Sequence, residues 1–158
     1  MSKRFLICVP LVFTLAACKG NSPKYTIAPK ADLHGIIFGK KVFSNKDLTS
    51  ANLTDANINS VDFSGALLTS ADLTRVTANK DTILKRANFD SATLTTASML
   101  GSDFTGASLS GANLTGAKLA GSNFTQANLR GAVLSGASLD DVIMTGAVLT
   151  SANLEGAN

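Results

Sequence analysis

The sequence predicts an all-β solenoid with a square cross-section, and three observations lead to this fold class. A bulky apolar residue returns at every fifth position through the middle of the 158-residue chain, from Phe104 to Leu134. A small residue stands two positions before each bulky one, as Ala112 does before Leu114. Aromatic residues recur at a spacing of 20, as Phe104 and Phe124 do, which indicates four five-residue sides in each turn.

Each five-residue unit is interpreted as a short extended segment followed by a corner. In an extended segment, residues two apart point to the same side, so the small and the bulky residue face the core together. The residue between them points outward and is usually polar, as Asn113 and Lys118 are. The last two positions hold turn formers such as Thr115 and Gly116. The chain should therefore wind into a coil with apolar side chains inside.

The spacing of the aromatic residues predicts a core ladder along one wall of the coil. Large rings stacked on large rings would fix the register, because a slip would place a phenylalanine over an alanine. Phe38 and Phe89 lie outside this ladder. Its predicted members are Phe43, Phe63, Leu84, Phe104, Phe124 and Met144.

The tandem Ala-Asn/Asp-Leu pattern resembles the pentapeptide repeat family. The resemblance covers residues 31–158 and implies a right-handed quadrilateral β-helix with four repeats per coil. About 25 repeats then make about six coils, and a rod near 30 Å long at ~4.8 Å per coil. Clear matches are Ala51-Asn52-Leu53, Ala71-Asp72-Leu73, Ala112-Asn113-Leu114 and Ala152-Asn153-Leu154.

Residues 1–17 are interpreted as a signal peptide. Lys3 and Arg4 precede an apolar run over residues 5–17 that is too short to span a bilayer, which needs about 20 residues. The run ends in Leu15-Ala16-Ala17-Cys18, which resembles a bacterial lipobox. The resemblance implies cleavage between Ala17 and Cys18 and a lipid on Cys18, whose several acyl chains would anchor the protein stably in a membrane. The alternatives are an ordinary cleaved signal with an incidental cysteine, or an uncleaved anchor.

The residues after Cys18 bear on the membrane to which the lipoprotein is sorted and on how the coil is connected to the lipid. Lipoproteins kept at the inner membrane commonly carry Asp after the lipidated cysteine, so Lys19 favours the outer membrane, at its periplasmic side or at the surface. Residues 18–30 are expected to be the lipidated cysteine and a flexible linker, because they contain Gly, Ser and two prolines. Packing of Tyr25 and Ile27 on the first coil is the alternative. The chain has two cysteines. Cys8 would be removed with the signal peptide and Cys18 would carry the lipid, so no disulfide could form.

The five-residue frame is irregular in two places. Ile36, Lys41 and Lys46 occupy the small-residue position in the first turns, and we expect an irregular cap there, because a lysine cannot be buried unpaired. Residues 77–82 hold one additional residue. This irregularity is either a corner bulge or a loop that protrudes toward a partner, flanked by Arg75 and Lys85-Arg86.

The formal net charge is +3, and it is unevenly distributed. Residues 19–86 carry ten basic and six acidic side chains, whereas residues 87–158 carry two and five. The basic half either is ordinary solvated surface or rests on anionic headgroups or lipopolysaccharide phosphates. The family's best-known activity, protection of gyrase by DNA mimicry, uses a strongly acidic cytoplasmic rod, and this chain departs from it in charge and in expected address. Nucleic-acid binding is not expected, since the basic residues form no dense stripe.

No cofactor, metal site or catalytic group is expected. His34 is the only histidine, and the Asp140-Asp141 pair falls on a corner, where neighbouring side chains diverge. We therefore expect a non-catalytic envelope lipoprotein, whose β-helix is a scaffold for binding a protein or an envelope polymer. The alternative is an inhibitor or decoy rod that docks on a target enzyme. The sequence ends within a repeat, so a homodimer through the C-terminal coil is a further expectation.

Overall fold

The computed structural model describes residues 27–158, and these residues wind into a coil of stacked five-residue sides. Parallel bridges link outward residues 20 apart, as in Asn52 to Asp72 and Asp103 to Asn123, so four sides complete each turn. Regular strand is confined in this range to two short parallel partners, β1 (Thr77–Ala78) and β2 (Ser98–Met99). The remaining sides are single bridges, because only one outward residue of each side pairs before the chain turns again.

Backbone hydrogen bonds join each coil to the next. The Leu53 N–H donates to Asp72 O (2.7 Å), while the Asn52 N–H donates backward to Ala31 O (2.9 Å). At most corners the small residue donates to the preceding bulky residue three positions back, as Ala51 N–H does to Leu48 O (2.9 Å). The third residue of such a corner has a positive φ, a conformation that glycine adopts without a steric penalty. Glycine occupies this position in most of the corners between residues 101 and 156.

The core is a narrow apolar column that contains both classes of inward residue. Alanines such as Ala112 and leucines such as Leu114 are fully buried through the middle of the rod. The register places the bulky residues in four columns. One column is entirely leucine along the rod, namely Leu33, Leu53, Leu73, Leu94, Leu114, Leu134 and Leu154.

The six residues of the core ladder occupy another single column. The rings of Phe104 and Phe124 stack with centroids 4.5 Å apart and planes 7° from parallel. The rings of Phe43 and Phe63 lie 5.5 Å apart and are tilted. Phe43 and Met144, at the two ends of the ladder, are only partly buried. Ring-on-ring contact over one coil repeat holds the register of this wall.

The first coil begins before the expected boundary at residue 31. Ile27 packs against the core, and the Lys30 N–H donates to Thr49 O (2.8 Å). Residues 27–30 therefore belong to the coil rather than to the linker, since both an apolar side chain and a backbone donor find partners in the next coil. The rest of that expected linker, and the whole expected signal peptide, lie outside the described residues.

Candidate interaction surfaces

The irregularity at residues 77–82 is a one-residue bulge at one corner. Bridges that cross it join residues 21 apart, such as Asp62 and Ile83, whereas Ile83 and Asp103 beyond it are again 20 apart. The additional residue is accommodated within the corner at residues 79–81, which we call the bulged corner. The chain therefore does not extend into a protruding loop here.

A buried hydroxyl secures the bulged corner. Thr82 occupies a small-residue position and is fully buried, and its Oγ1 lies 3.1 Å from Ile58 O. The N–H groups of Ser60 and Asn79 both donate to this Oγ1, at 3.2 Å. The Ser60 N–H also donates to the Asn79 side chain (3.0 Å), in place of the backbone carbonyl used at regular corners. The backbone N–H groups at the bulge thus keep hydrogen-bond partners, because side-chain oxygens replace the backbone carbonyl of a regular corner.

Two serines continue this hydroxyl column along the core. Ser102 donates to Asn79 O (3.3 Å) and Ser122 donates to Met99 O (2.8 Å), and both side chains are fully buried. The five-residue pattern identifies both serines only as small inward residues. The available signal was the run of Thr82, Ser102 and Ser122 at 20-residue spacing, in a position that alanine fills elsewhere.

Most of the outward Asn and Asp residues fix corners instead of standing free for a ligand. Each accepts a hydrogen bond from the backbone N–H two residues later, as Asn113 does from Thr115 (3.0 Å) and Asp72 does from Thr74 (2.9 Å). Asp62 accepts from the N–H and the hydroxyl of Ser64, and these bonds lower the pKa of the Asp62 carboxyl. The outward Asn and Asp side chains therefore stabilise the corners of the coil.

Five of the eight basic residues in residues 27–86 line grooves at the two edges of the wall that covers the core ladder. Its outward residues are Val42, Asp62, Ile83, Asp103, Asn123 and Ile143. An open groove of about 490 Å³ beside the bulged corner is lined by Lys40, Lys41, Val42, Lys80 and Ile83, among others. Lys85 and Arg86 line a second groove at the opposite edge of this wall. We name Val42 and Ile83, with these five basic residues, the basal patch.

The carboxylates near the basal patch leave most of its cations unpaired. Lys85 Nζ lies 3.1 Å from Asp103 Oδ2. Burial of Asp103 favours a raised pKa, but hydrogen bonds from Thr105 and Lys85 bring the pKa of this carboxyl below its usual value. Within residues 27–158, Lys40, Lys41, Lys80 and Arg86 form no ion pair. The patch therefore combines exposed apolar side chains with cations that are free to meet an anion.

The other candidates for chemistry are solvated. His34 is exposed with Nδ1 3.9 Å from Asp55, and Asp55 is held by Arg75 at 2.6 Å. Arg75 lies at the corner before the bulged corner and Lys85-Arg86 at the corner after it, so these basic residues flank the bulge from two different edges. Asp140 accepts bonds from Ser138 and Asn158, which lower the pKa of its carboxyl. Among the described residues, no group of three or more His, Cys, Asp or Glu side chains could hold a metal ion.

The described part of the chain has no helix that is both long and apolar enough to cross a membrane. The residues predicted for lipidation and cleavage, Leu15, Ala16, Ala17 and Cys18, lie outside the described range.

A coil of four five-residue sides with bridges at 20-residue spacing defines a repeat scaffold rather than a catalytic pocket. Comparison with known families matches eight copies of the family described as Pentapeptide repeats, over residues 30–65, 47–79, 80–111, 107–146 and 127–158. The chain belongs to the pentapeptide repeat family. Members of this family fold as right-handed quadrilateral β-helices and are generally structural or binding scaffolds.

Solved structures similar to the chain include other proteins with this repeat. A pentapeptide repeat protein from the thylakoid lumen of Arabidopsis thaliana is 28% identical, with 86% of this chain and 74% of that chain covered and a TM-score of 0.44. HetL of Nostoc, involved in heterocyst differentiation regulation, is 28% identical, with 82% of this chain and 81% of that chain covered and a TM-score of 0.32. QnrB1, a plasmid-mediated fluoroquinolone resistance protein, is 17% identical, with 83% of this chain and 80% of that chain covered and a TM-score of 0.34. No curated protein matches the chain.

Proposed function

We propose that the protein is a lipid-anchored component of the bacterial cell envelope, whose β-helix is a non-catalytic scaffold for another protein or an envelope polymer. The observation that carries the proposal is the sequence Leu15-Ala16-Ala17-Cys18 at the end of a short apolar run with a basic start. A lipid on Cys18 would hold the rod at the membrane surface, since multiple acyl chains bind a bilayer far more stably than one.

The repeat walls support a binding function rather than catalysis. In residues 27–158 the polar side chains that face outward are single, periodic and mostly engaged at corners, so no base, nucleophile and anion-stabilising group converge. What the rod offers instead is extended walls with a fixed 20-residue repeat, which suits a partner that contacts several coils at once.

Metabolic labelling with radioactive palmitate tests the anchor. Wild-type protein and Cys8→Ala should incorporate label equally, because Cys8 lies in the segment to be removed, whereas Cys18→Ala should incorporate none. Equal labelling of Cys18→Ala and wild type would overturn lipidation at this residue.

Substitution of Lys19 tests whether the lipidated protein is sorted to the outer membrane. With Lys19 in place, membrane fractionation should recover the lipidated protein with the outer membrane. Lys19→Asp should move it to the inner membrane without changing palmitate incorporation. Wild-type protein in the inner-membrane fraction would contradict this part of the proposal.

Crosslinking in the native cell, followed by purification of the adducts, identifies what the scaffold holds. The proposal expects an envelope protein or polymer. If the adduct is instead a single enzyme, and the purified protein inhibits it, the scaffold function is overturned in favour of an inhibitor that docks through its walls.

Self-association through the C-terminal coil is also part of the proposal. Val142, Met144 and Leu149 of this coil are only partly buried, and Leu154 is 40% exposed, so the coil offers apolar edges to a second copy. Size-exclusion chromatography with light scattering should report a dimer, and Leu154→Lys should shift it toward the monomer. A monomer at high concentration would remove this contact.

A further inference from the structure

The basal patch differs from the rest of the same wall in its exposed apolar and basic residues. Val42 is 70% exposed and Ile83 is 37% exposed, directly above the buried core ladder. Lys40, Lys41 and Lys80 border them on one side, and Lys85 and Arg86 on the other. Asp62 lies between Val42 and Ile83 on the wall. Exposed apolar side chains flanked by lysines suit a surface that is itself anionic outside and apolar just beneath, which is the composition of a bilayer interface.

The charge balance favours an anionic surface over a neutral one. Asp62 and Asp81 line the groove with the three lysines, and Asp103 pairs with Lys85, so five cations stand against three carboxylates. Asp62 also accepts hydrogen bonds from the hydroxyls of Ser44 and Ser64. The patch therefore carries an excess of positive charge, and its attraction to anionic headgroups should fall as salt is added.

The distal part of the same wall lacks these features. Asn123 and Ile143 continue it beyond Asp103, and Ile143 is 50% exposed, but only Lys118 and Arg130 are basic in residues 87–158. The wall thus has one basic end, near the N-terminus, and one end without cations beside its apolar residue. This asymmetry gives the rod a defined end to place against a membrane.

The length of chain between the expected anchor and the first coil permits that placement. Nine residues lead from Cys18 to Ile27, and they reach at most ~30 Å when fully extended. The rod itself is about as long, at ~4.8 Å per coil, so the basal patch stays within reach of the bilayer that holds Cys18. A tether of this length raises the local concentration of the patch at the headgroups.

We propose that the basal patch is a membrane-contact surface that docks the first coils on anionic phospholipid headgroups, with Val42 entering the interface. The tether in this arrangement rests on the lipid anchor of the proposed function, but the contact itself depends only on the patch. The distal coils then point away from the membrane and remain available to a partner.

The chain contains no tryptophan, so a single tryptophan reports the contact without background. We would prepare the full chain as Val42→Trp and, as a matched control on the same wall, as Ile143→Trp, each with Cys18 and with Cys18→Ala. Each protein is mixed with phosphatidylcholine vesicles, with or without phosphatidylglycerol, and with brominated phosphatidylcholine as the quencher.

The expected result is a blue shift and quenching of the tryptophan at position 42 only with phosphatidylglycerol vesicles, reversed by high salt, and no change at position 143. Adding Lys40→Glu, Lys41→Glu and Lys80→Glu should weaken the contact by on the order of tenfold or more, whereas Lys118→Glu with Arg130→Glu should not. Far-UV circular dichroism checks that the variants are folded.

Equal signals at positions 42 and 143, or no signal at 42 with anionic vesicles, would overturn the contact. Failure of the anchor is distinguishable, because it shows as missing palmitate on Cys18 while the tryptophan signal in the Cys18→Ala chain still reports the patch.

Discussion

The first coils, residues 27–86, and the regular coils, residues 87–137, follow the same five-residue frame but use it differently. In the regular coils alanine or serine faces inward beside each bulky residue, and glycine occupies most corners. In the first coils Lys41 and Lys46 take the small-residue position and remain exposed, as expected for a cap. The regular coils serve mainly to hold the register, whereas the departures from the pattern are where charge and exposed apolar surface collect.

The strongest test of this comparison is the core ladder, in which the end member Phe43 of the first coils is less buried than Phe104 of the regular coils. Phe104→Ala should destabilise the protein by about 3–5 kcal/mol, because it leaves a cavity against the ring of Phe124. Phe43→Ala should cost clearly less, since Phe43 is only partly buried. Urea unfolding measures both. Equal losses would mean that the ladder contributes uniformly and that the two regions do not differ in packing.

The next test asks whether the bulged corner is a built feature. Thr82→Val preserves shape but removes the hydroxyl that meets Ile58 O and the Ser60 N–H, so we expect a loss of about 1–3 kcal/mol. Thr93→Val, at an outward position of a regular side, is the matched control and should change stability by less than about 0.5 kcal/mol. Indistinguishable unfolding midpoints would show that the bulge does not need its hydroxyl.

A glycine pair sharpens the comparison at the corners. Gly101 and Gly131 both have positive φ, so alanine costs about 1–2 kcal/mol at each. A Cβ on Gly101 would also lie 3.0 Å from the Cβ of Lys80 at the bulged corner, while one on Gly131 would meet open space. The midpoint temperature of thermal unfolding should therefore be lower for Gly101→Ala than for Gly131→Ala. The reverse order would show that this contact with Lys80 does not destabilise the alanine variant.

The smallest expected effect is on the acid side of the stability curve. Hydrogen bonds from Ser64 and Ser44 lower the pKa of Asp62, so this carboxylate stabilises the fold above its unfolded pKa of about 3.9. That contribution is lost as the pH falls through the lower, folded pKa. Asp62→Asn should flatten the decline in stability below about pH 4, because the amide does not titrate. An unchanged acid dependence would show that Asp62 contributes nothing to it.

Much of the fold was predictable because small and large residues occur at fixed positions of each repeat, and those positions are the ones that pack in the core. The alternation of Ala112 and Leu114 gives inward and outward directions directly, and the spacing of Phe104 and Phe124 gives the number of sides. The sequence did not predict that residues 27–30 belong to the coil. Their place is set by a backbone bond to Thr49 and by the packing of Ile27, neither of which has a periodic signal.

The candidate surface was less predictable than the fold. An excess of basic residues before residue 87 was visible, but their gathering on one wall depends on how corners stack, and the register changes from 20 to 21 across the bulge. The stacked corners bring Lys40, Lys41 and Lys80 to one groove. The outward Asn and Asp side chains have no sequence signal for their bonds to the corners, which occupy one side-chain oxygen of each.

Intact mass spectrometry of the native protein, purified from bacterial membranes, tests most directly the claim that this rod is held at the envelope by Cys18. The account predicts a chain that begins at Cys18 and carries the mass of a thioether-linked diacylglycerol, with or without an N-acyl chain. A chain of unmodified mass, or one that begins at any other residue, would contradict it.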